Sequence, residues 1–376
     1  MVRRVSLTSA QRRLPASRRN QLCAGLAAGF LLAALATSCS NAPHTSHPGH
    51  EQSTRTPGLA ASESPKSVHR FLVHTMRVRE ASGVPLRRIA ALLVHGKRLW
   101  VIGERGPMEP RARLIEARLD GSIISQAAVG GAPIDIAADA DGVWVANGNG
   151  DSSRPTFAAG TVWQFDRQLS RTSIRYAVPS IQAVVPAAHG AVAVSLGGAG
   201  PVLVTRLNAG HSRLLLRIAT KSITGTIVTT SCRGELALAT AVDDGTALYV
   251  APIDDPGNLR ERVLHKAGEI ALSCSPHRLV VTISNVADGG IYTADFKLRH
   301  LKRLGRQRTA TCAVMLGPSV WSVAPAAGSD RSTARPLLGK RRGKSISIPG
   351  TVSSCASSGH RLWIGTGNLV TWLKRD

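Results

Sequence analysis

The stretch IDIAADADGVWVANGNG, residues 134–150, decides the fold because it is one copy of a recurring phrase. The phrase is a short apolar run, a polar turn usually holding glycine, a second apolar run often holding tryptophan, and then Gly or Asn. It returns as IAALLVHGKRLWVIGERG (89–106), AVVPAAHGAVAVSLGGAG (183–200) and IVTTSCRGELALATAVDDG (227–245). Three further copies are IALSCSPHRLVVTISNVADGG (270–290), TCAVMLGPSVWSVAPAAG (311–328) and VSSCASSGHRLWIGTGN (352–368). The middle of the second run falls at Trp100, Trp144, Ala193, Ala237, Val280, Trp321 and Trp363, at spacings of 44, 49, 44, 43, 41 and 42.

Between the copies lie more runs that partly alternate apolar and polar residues, the period-2 mark of strands. GTVWQFDRQL (160–169) and RTSIRYAV (171–178) follow the second copy. TALYVAPI (246–253) and RERVLHKA (260–267) follow the fourth, and GIYTADFK (290–297) and LKRLGRQ (301–307) the fifth. Each unit therefore predicts four short strands. Four strands in roughly 40–45 residues is the signature of a β-propeller blade. After Trp363 only NLVTWLKRD remains, room for one strand, so the last blade lacks its fourth. SVHRFLVHTMRVRE (67–80) is the spare strand at the other end. Pairing it into the last blade closes the ring and covers the open edge. The expected fold is all-β, a seven-bladed propeller of four-stranded blades over residues 67–376, closed by its N-terminal strand. Aromatics are only 4% of the chain, so its core must be mostly Val, Leu, Ile and Ala.

DIAADADGVWVANG followed by GTVWQFD resembles the repeat of bacterial extracytoplasmic propellers of the YncE and NHL or streptogramin-lyase-like kind. The likeness covers most of the chain beyond the tether, and it speaks to fold more than to function. It implies two functional classes: a binding or scaffold module, or a metal-dependent enzyme with His, acids and Mg²⁺ in the central channel.

The N-terminus gives location. Arg3, Arg4, Arg12, Arg13, Arg18 and Arg19 form a basic region without acids. LCAGLAAGFLLAALA (22–36) follows, 15 uncharged residues. That is short of the roughly 20 a spanning helix needs and fits a signal-peptide core. The run ends in LATSC, small residues directly before Cys39. This resembles the lipobox of bacterial, actinobacterial-type lipoproteins, which implies cleavage before Cys39 and its acylation. SRRNQL (17–22) is similar to a twin-arginine export signal, but Asn20 and Gln21 depart from it, so Sec and Tat export both stay open. Residues 1–38 read as signal peptide and 39–66 as a tether. Of the 28 residues at 40–67, 15 are Ser, Thr, Pro or Gly, too few apolar groups to offset the entropy of ordering. His44, His47 and His50 lie within it without the further partners a metal site needs.

The net charge of +24 falls to +18 once residues 1–38, with six arginines and no acid, are removed. Such a charge attracts polyanions. Outside the cytoplasm these are lipid headgroups and envelope polymers, not nucleic acid. The most concentrated basic run is KRRGK, giving Lys340, Arg341, Arg342 and Lys344 as a candidate anionic-ligand patch. It lies in APAAGSDRSTARPLLGKRRGKS (324–345), read as a long loop insertion like GNGDSSRPTFAAG (148–160).

Catalytic motifs are missing from the sequence: no GxSxG, HExxH, CxxC or P-loop occurs. Acid pairs such as Asp139 with Asp141, Asp243 with Asp244 and Asp254 with Asp255 sit in turns, where carboxylates cap or solvate. His95, His189, His277 and His360 occupy the turn of the repeat itself, a structural position. No catalytic residue, metal or cofactor is expected.

Besides Cys23 and Cys39 the chain has Cys232, Cys274, Cys312 and Cys355, each placed at the end of the first run of its copy. An even count in an exported domain reads as disulfides. Three connectivities exist. Neighbouring inner strands are nearest in space, which favours Cys232–Cys274 and Cys312–Cys355; free buried thiols are the alternative. Spacings near 40 lack the local pairs that zinc sites use. The chain thus reads as a monomeric, lipid-anchored propeller on the outer face of the cell membrane. It would bind or scaffold an envelope protein or an anionic polymer.

Overall fold

The computed structural model describes residues 71–79, 86–104, 112–129, 132–139, 142–148, 160–197, 200–219, 223–338, 341–358 and 360–375. The signal peptide and tether expected at 1–66, Cys39 included, lie outside the described residues. All the described regular structure is strand.

The strands run in chain order through seven antiparallel sheets. β1 is Phe71–Arg77, and blade 1 is β2 Arg88–His95, β3 Arg98–Glu104, β4 Arg113–Arg118 and β5 Ile123–Ala128. Blade 2 is β6 Pro133–Ala138, β7 Val143–Asn147, β8 Thr161–Phe165 and β9 Arg171–Ala177. Blade 3 is β10 Ile181–Ala187, β11 Gly190–Leu196, β12 Val202–Asn208 and β13 His211–Ile218. Blade 4 is β14 Ile223–Cys232, β15 Glu235–Val242, β16 Gly245–Pro252 and β17 Arg260–Leu264. Blade 5 is β18 Glu269–Ser275, β19 Arg278–Ser284, β20 Gly290–Ala294 and β21 Lys302–Gly305. Blade 6 is β22 Cys312–Leu316, β23 Ser319–Pro325, β24 Arg331–Leu338, β25 Arg341–Arg342 and β26 Ile346–Pro349. Blade 7 holds β27 Val352–Ser358, β28 Arg361–Thr366 and β29 Leu369–Arg375, with β1 as its outer strand.

The first strand of each blade is the inner one, and neighbouring inner strands pack on each other around the ring, β27 on β2 included. The closure predicted from the sequence is the one observed. β1 pairs antiparallel with β29, from Phe71 opposite Arg375 to Arg77 opposite Leu369. His74 stacks on Trp372 at 5.1 Å, Thr75 and Thr371 share a hydroxyl hydrogen bond of 3.0 Å, and Phe71 meets Trp321 of blade 6 edge-on at 4.8 Å.

The repeat phrase folds as it does because its second run is buried on both faces. The middle position of that run is buried in every copy: Trp100 5%, Trp144 1%, Ala193 0%, Ala237 0%, Val280 0%, Trp321 2% and Trp363 0% exposed. A fully buried tryptophan removes about 200 Å² from water, worth about 5 kcal/mol as an upper figure. Trp144 sits among Ile181, Val184 and Leu207 of blade 3, so one side chain joins two blades. Gly190 opens β11 at φ +103°, and a Cβ there would strike the Leu207 carbonyl across the ladder. Glycine follows from that close approach as much as from the turn.

Antiparallel order places all first-to-second and third-to-fourth connections of a blade at one end of the ring. This is the turn face. The second-to-third connections and the links between blades form the opposite, loop face. Contacts between blades agree: Arg361 Nη1 donates to Leu119 O, and Arg260 Nη1 donates to Phe296 O, turn end to turn end. β1 starts at the turn face, because Phe71 is opposite the last residue of β29.

Two expectations need correction. Residues 324–345 are not a loop insertion: β24 runs through the middle of the segment as the third strand of blade 6. Ser332 and Ala334 are buried at 0% while Arg331 is exposed, a period-2 pattern that the Arg and Pro content hid. Its partner on the outer side is broken into β25 and β26, both paired to β24. The cysteines are also not all at the ends of inner strands. Cys232 and Cys274 sit at the turn end of β14 and β18, but Cys312 opens β22 and Cys355 is central in β27. The blades start their inner strands at different points of the phrase.

Candidate functional site: the mouth of the central channel

A cavity of 690 Å³ opens where the inner strands of blades 2 to 5 approach the loop face. Its wall includes Ile134 and Asp135 of β6, Gln182 and Ala183 of β10, Thr229 of β14 and Leu272 of β18. That size lies within the roughly 300–1,000 Å³ of small-molecule sites. Its lining is mostly aliphatic, and no His, Lys or Arg contributes to it.

A recurring irregularity shapes this rim. The inner strands β2, β6, β10 and β27 each slip register by one residue near the loop face, between Ile89 and Ala91, Pro133 and Asp135, Ile181 and Ala183, and Val352 and Ser354. A bulge adds an unpaired residue and re-aims its side chain. In blades 2 and 3 the extra residues are Ile134 and Gln182, both in the cavity wall, and Ile134 is 42% exposed. In blade 7 the extra residue is Ser353, whose hydroxyl donates to Ile89 O at 2.9 Å across the closure.

Asp135 is the carboxylate of the cavity wall. Its Oδ1 accepts the N–H of Ile136 at 2.9 Å, and its Oδ2 accepts the N–H of Val184 in blade 3 at 2.9 Å. Inner strands have no sheet partner on the channel side, so these amides would otherwise lack acceptors. Burial pushes the Asp135 carboxyl up to about 7, and the two amide bonds oppose the shift without cancelling it. Thr229 Oγ1, also in the wall, is buried with no hydrogen-bond partner. The cavity therefore offers a mixed surface, aliphatic side chains interleaved with Asp135, Ser180, Gln182 and Thr229, in which the Asp135 carboxyl is the ionisable group. Sequence reading missed Asp135. Its signal was an Asp where the first copy has Ala90 or Ala91 and the third has Ala183, inside an otherwise apolar run.

The expected site residues fall elsewhere. Cys232 lies against Cys274 and Cys312 against Cys355, with Cα–Cα separations of 6.2 and 6.3 Å, inside the disulfide window. These pairs join blade 4 to blade 5 and blade 6 to blade 7. Of the basic run, Lys344 is exposed on the turn side of blade 6, and Arg341 and Arg342 form β25. Lys340 lies outside the described residues. His95, His189, His277 and His360 are exposed at the turn ends of blades 1, 3, 5 and 7 and do not meet. Among the described residues, no three His, Cys, Asp or Glu side chains converge as a metal site would require.

The chain matches no protein-family model and no curated protein. Solved structures share its architecture. Hydrazine synthase of Kuenenia stuttgartiensis aligns at TM-score 0.58 and 13% identity over 77% of this chain and 96% of that one. The acylaminoacyl peptidase of Pyrococcus horikoshii aligns at 0.53 and 11% identity, over 77% of this chain and 52% of that one. BamB of Moraxella catarrhalis aligns at 0.48 and 13% identity over 76% and 83%, too remote to carry an argument. At these identities the likeness is one of fold.

Proposed function

We propose that this chain is a lipid-anchored propeller of the cell envelope that acts as a binding module, with the channel mouth between blades 2 and 5 as its site. The observation that carries the anchored half is the order at the N-terminus: basic region, apolar run, LATSC with Cys39, and a Ser/Thr/Pro/Gly-rich tether before the strand that closes the ring. The paired cysteines support the same compartment, because disulfides persist outside the reducing cytosol. A wall of Ile, Leu, Val and Ala with Asp135 as its one ionisable group favours binding over turnover. A nucleophile needs an adjacent base, and no histidine or lysine reaches Ser180 or Thr229 in this wall. The ligand is a partly apolar group bearing hydrogen-bond donors, carried by a small molecule or by a protruding segment of an envelope protein.

The anchor is tested by detergent-phase partitioning of the full chain expressed in a lipoprotein-processing bacterium. The native chain should enter the detergent phase and Cys39→Ala the aqueous phase. Equal partitioning of the two removes the anchor from the account.

A further inference from the structure

We propose that the turn face of blades 5, 6, 7 and 1 is a docking surface for an anionic phospholipid bilayer. The proposal extends the anchored reading above, and its test is arranged to work without the anchor.

In these four blades the turn face exposes Lys97, Arg278, Lys297, Arg299, Lys302 and Lys344, which belong to β3, β19, β21, β26 or the turns beside them. The carboxylates described there are engaged. Glu116 is buried and bound to Arg98 at 3.2 Å and to Ser125 at 2.6 Å. Asp120 closes its own turn on Ser122, and Asp295 accepts the N–H of Arg299. The turn face of blades 2 to 4 differs: there Glu235 pairs with Arg260 and Asp254 with Arg206, and Asp166 of blade 2 and Asp255 of blade 4 add further acids. The loop face is mixed as well, with Asp243, Asp244, Glu269, Asp288 and Asp330 among its arginines. The cationic sector is therefore one half of one face.

The second observation is where the chain outside the described residues joins the ring. β1 begins at Phe71, on the turn face, in blade 7, which is the middle of this sector. Residues 39–66 precede it. A tether of that length, as proposed from the sequence, would have a root-mean-square reach of about 30 Å. An acyl group at Cys39 would hold this sector within about one domain radius of the headgroups. The complementary surface it then faces is the negative leaflet, where each nearby Lys or Arg adds roughly fivefold to binding. A single acyl chain gives marginal, reversible attachment, and a basic patch is the usual second element. In this orientation the cavity at the loop face opens away from the membrane, toward ligands or partners in the envelope.

The test uses the mature chain from residue 39 with Cys39→Ala, so that no acyl chain contributes. Co-sedimentation is measured with vesicles of phosphatidylcholine alone and of phosphatidylcholine with one part in three of phosphatidylglycerol. Binding should be confined to the anionic vesicles and should fall with added salt. Lys97→Glu, Arg278→Glu, Lys297→Glu and Arg299→Glu together should weaken it on the order of a hundredfold or more. Arg87→Glu, Arg88→Glu, Arg306→Glu and Arg308→Glu on the loop face, with the same net charge, should leave most of it. Circular dichroism of both variants checks that the ring is intact. Equal binding to neutral vesicles, equal loss in both variants, or capture by soluble polyphosphate without vesicle binding overturns the proposal. Failure here with detergent partitioning of the native chain intact removes the docking face and leaves the anchor. The reverse result removes the anchor and leaves the face.

Discussion

Removing the cysteine pair between blades 4 and 5 should cost the fold about 4 kcal/mol. Cys232 and Cys274 are 42 residues apart in sequence, and a covalent link across that distance removes loop-closure entropy from the unfolded chain. The chain-entropy relation gives about 4 kcal/mol at 25 °C for a loop of this length. Packing adds little, since Cys274 is only a partly buried edge of the cluster around Leu279 and Val281. The pair between blades 6 and 7 spans 43 residues and should contribute the same. The two loops share no residue, so the effects should add. Losing both, about 8 kcal/mol, approaches the whole stability of an ordinary domain. Urea unfolding followed by tryptophan fluorescence reads this, through the buried Trp144 and Trp363. At a slope of about 3 kcal/mol per M, Cys232→Ala with Cys274→Ala should lower the midpoint by a little over about 1 M. Reductant opens both pairs, so it should lower the native chain's midpoint about twice as far, and it should do nothing to a chain lacking all four cysteines. Four free thiols in the denatured, unreduced protein, with a midpoint indifferent to reductant, would refute the reasoning.

Asp135 should make stability depend on pH. Its carboxyl is raised to about 7 from 3.8, so the folded state holds a proton that the unfolded state releases, and stability falls as pH climbs through that window. Asp135→Asn removes the titration. Relative to that variant, the native chain should lose about 2 kcal/mol or less between pH 5 and pH 8 in urea melts, and a gain would contradict the burial argument. Gly190→Ala brings a Cβ onto the Leu207 carbonyl at a positive φ and should cost at least about 1–3 kcal/mol; a neutral result would mean that β11 and β12 can separate there. His74→Pro removes a ladder donor and the Trp372 stack from the closing strand. It should open the seam first, seen as faster hydrogen exchange in β1 and β29 than in blades 3 and 4. Gln182→Trp, at the bulge of β10, fills the cavity from a partly exposed position. It should abolish binding of a neutral apolar dye such as Nile red while leaving the melting midpoint within a few degrees; retained binding moves the site elsewhere.

The fold was legible because a propeller writes itself several times over. One phrase such as residues 134–150 is ambiguous, but repetition at 41–49 residues fixed blade number, strand order and the role of residues 67–80 as the closing strand. The cysteine neighbours were legible for the same reason, since adjacent copies are adjacent in space. Other features depend on local geometry that periodicity does not encode. The bulges at Ala90, Ile134, Gln182 and Ser353 have no shared residue type, and only Pro133 hints at one of them. Asp135 became visible as a site residue only once β10 supplied the Val184 amide from the next blade. β24 reads as a loop from sequence because Arg331 and Arg335 on one face and Pro336 look like a basic insertion, while the other face, Ser332 and Ala334, is buried. The segregation of charge onto half of one face could not be read along the chain. Lys97, Arg278, Lys297 and Lys344 are far apart in sequence and share only the end of the blade on which their turns fall.

The claim on which the account turns is that the mature chain begins at an acylated Cys39. Intact-mass and N-terminal peptide mass spectrometry of the protein isolated from membranes measures it directly. The account predicts a first residue of Cys39, heavier by a diacylglyceryl group with or without an amide-linked acyl chain, and no residue from 1–38. A chain beginning at any other residue, or at Cys39 with a free thiol and free amine, would contradict it.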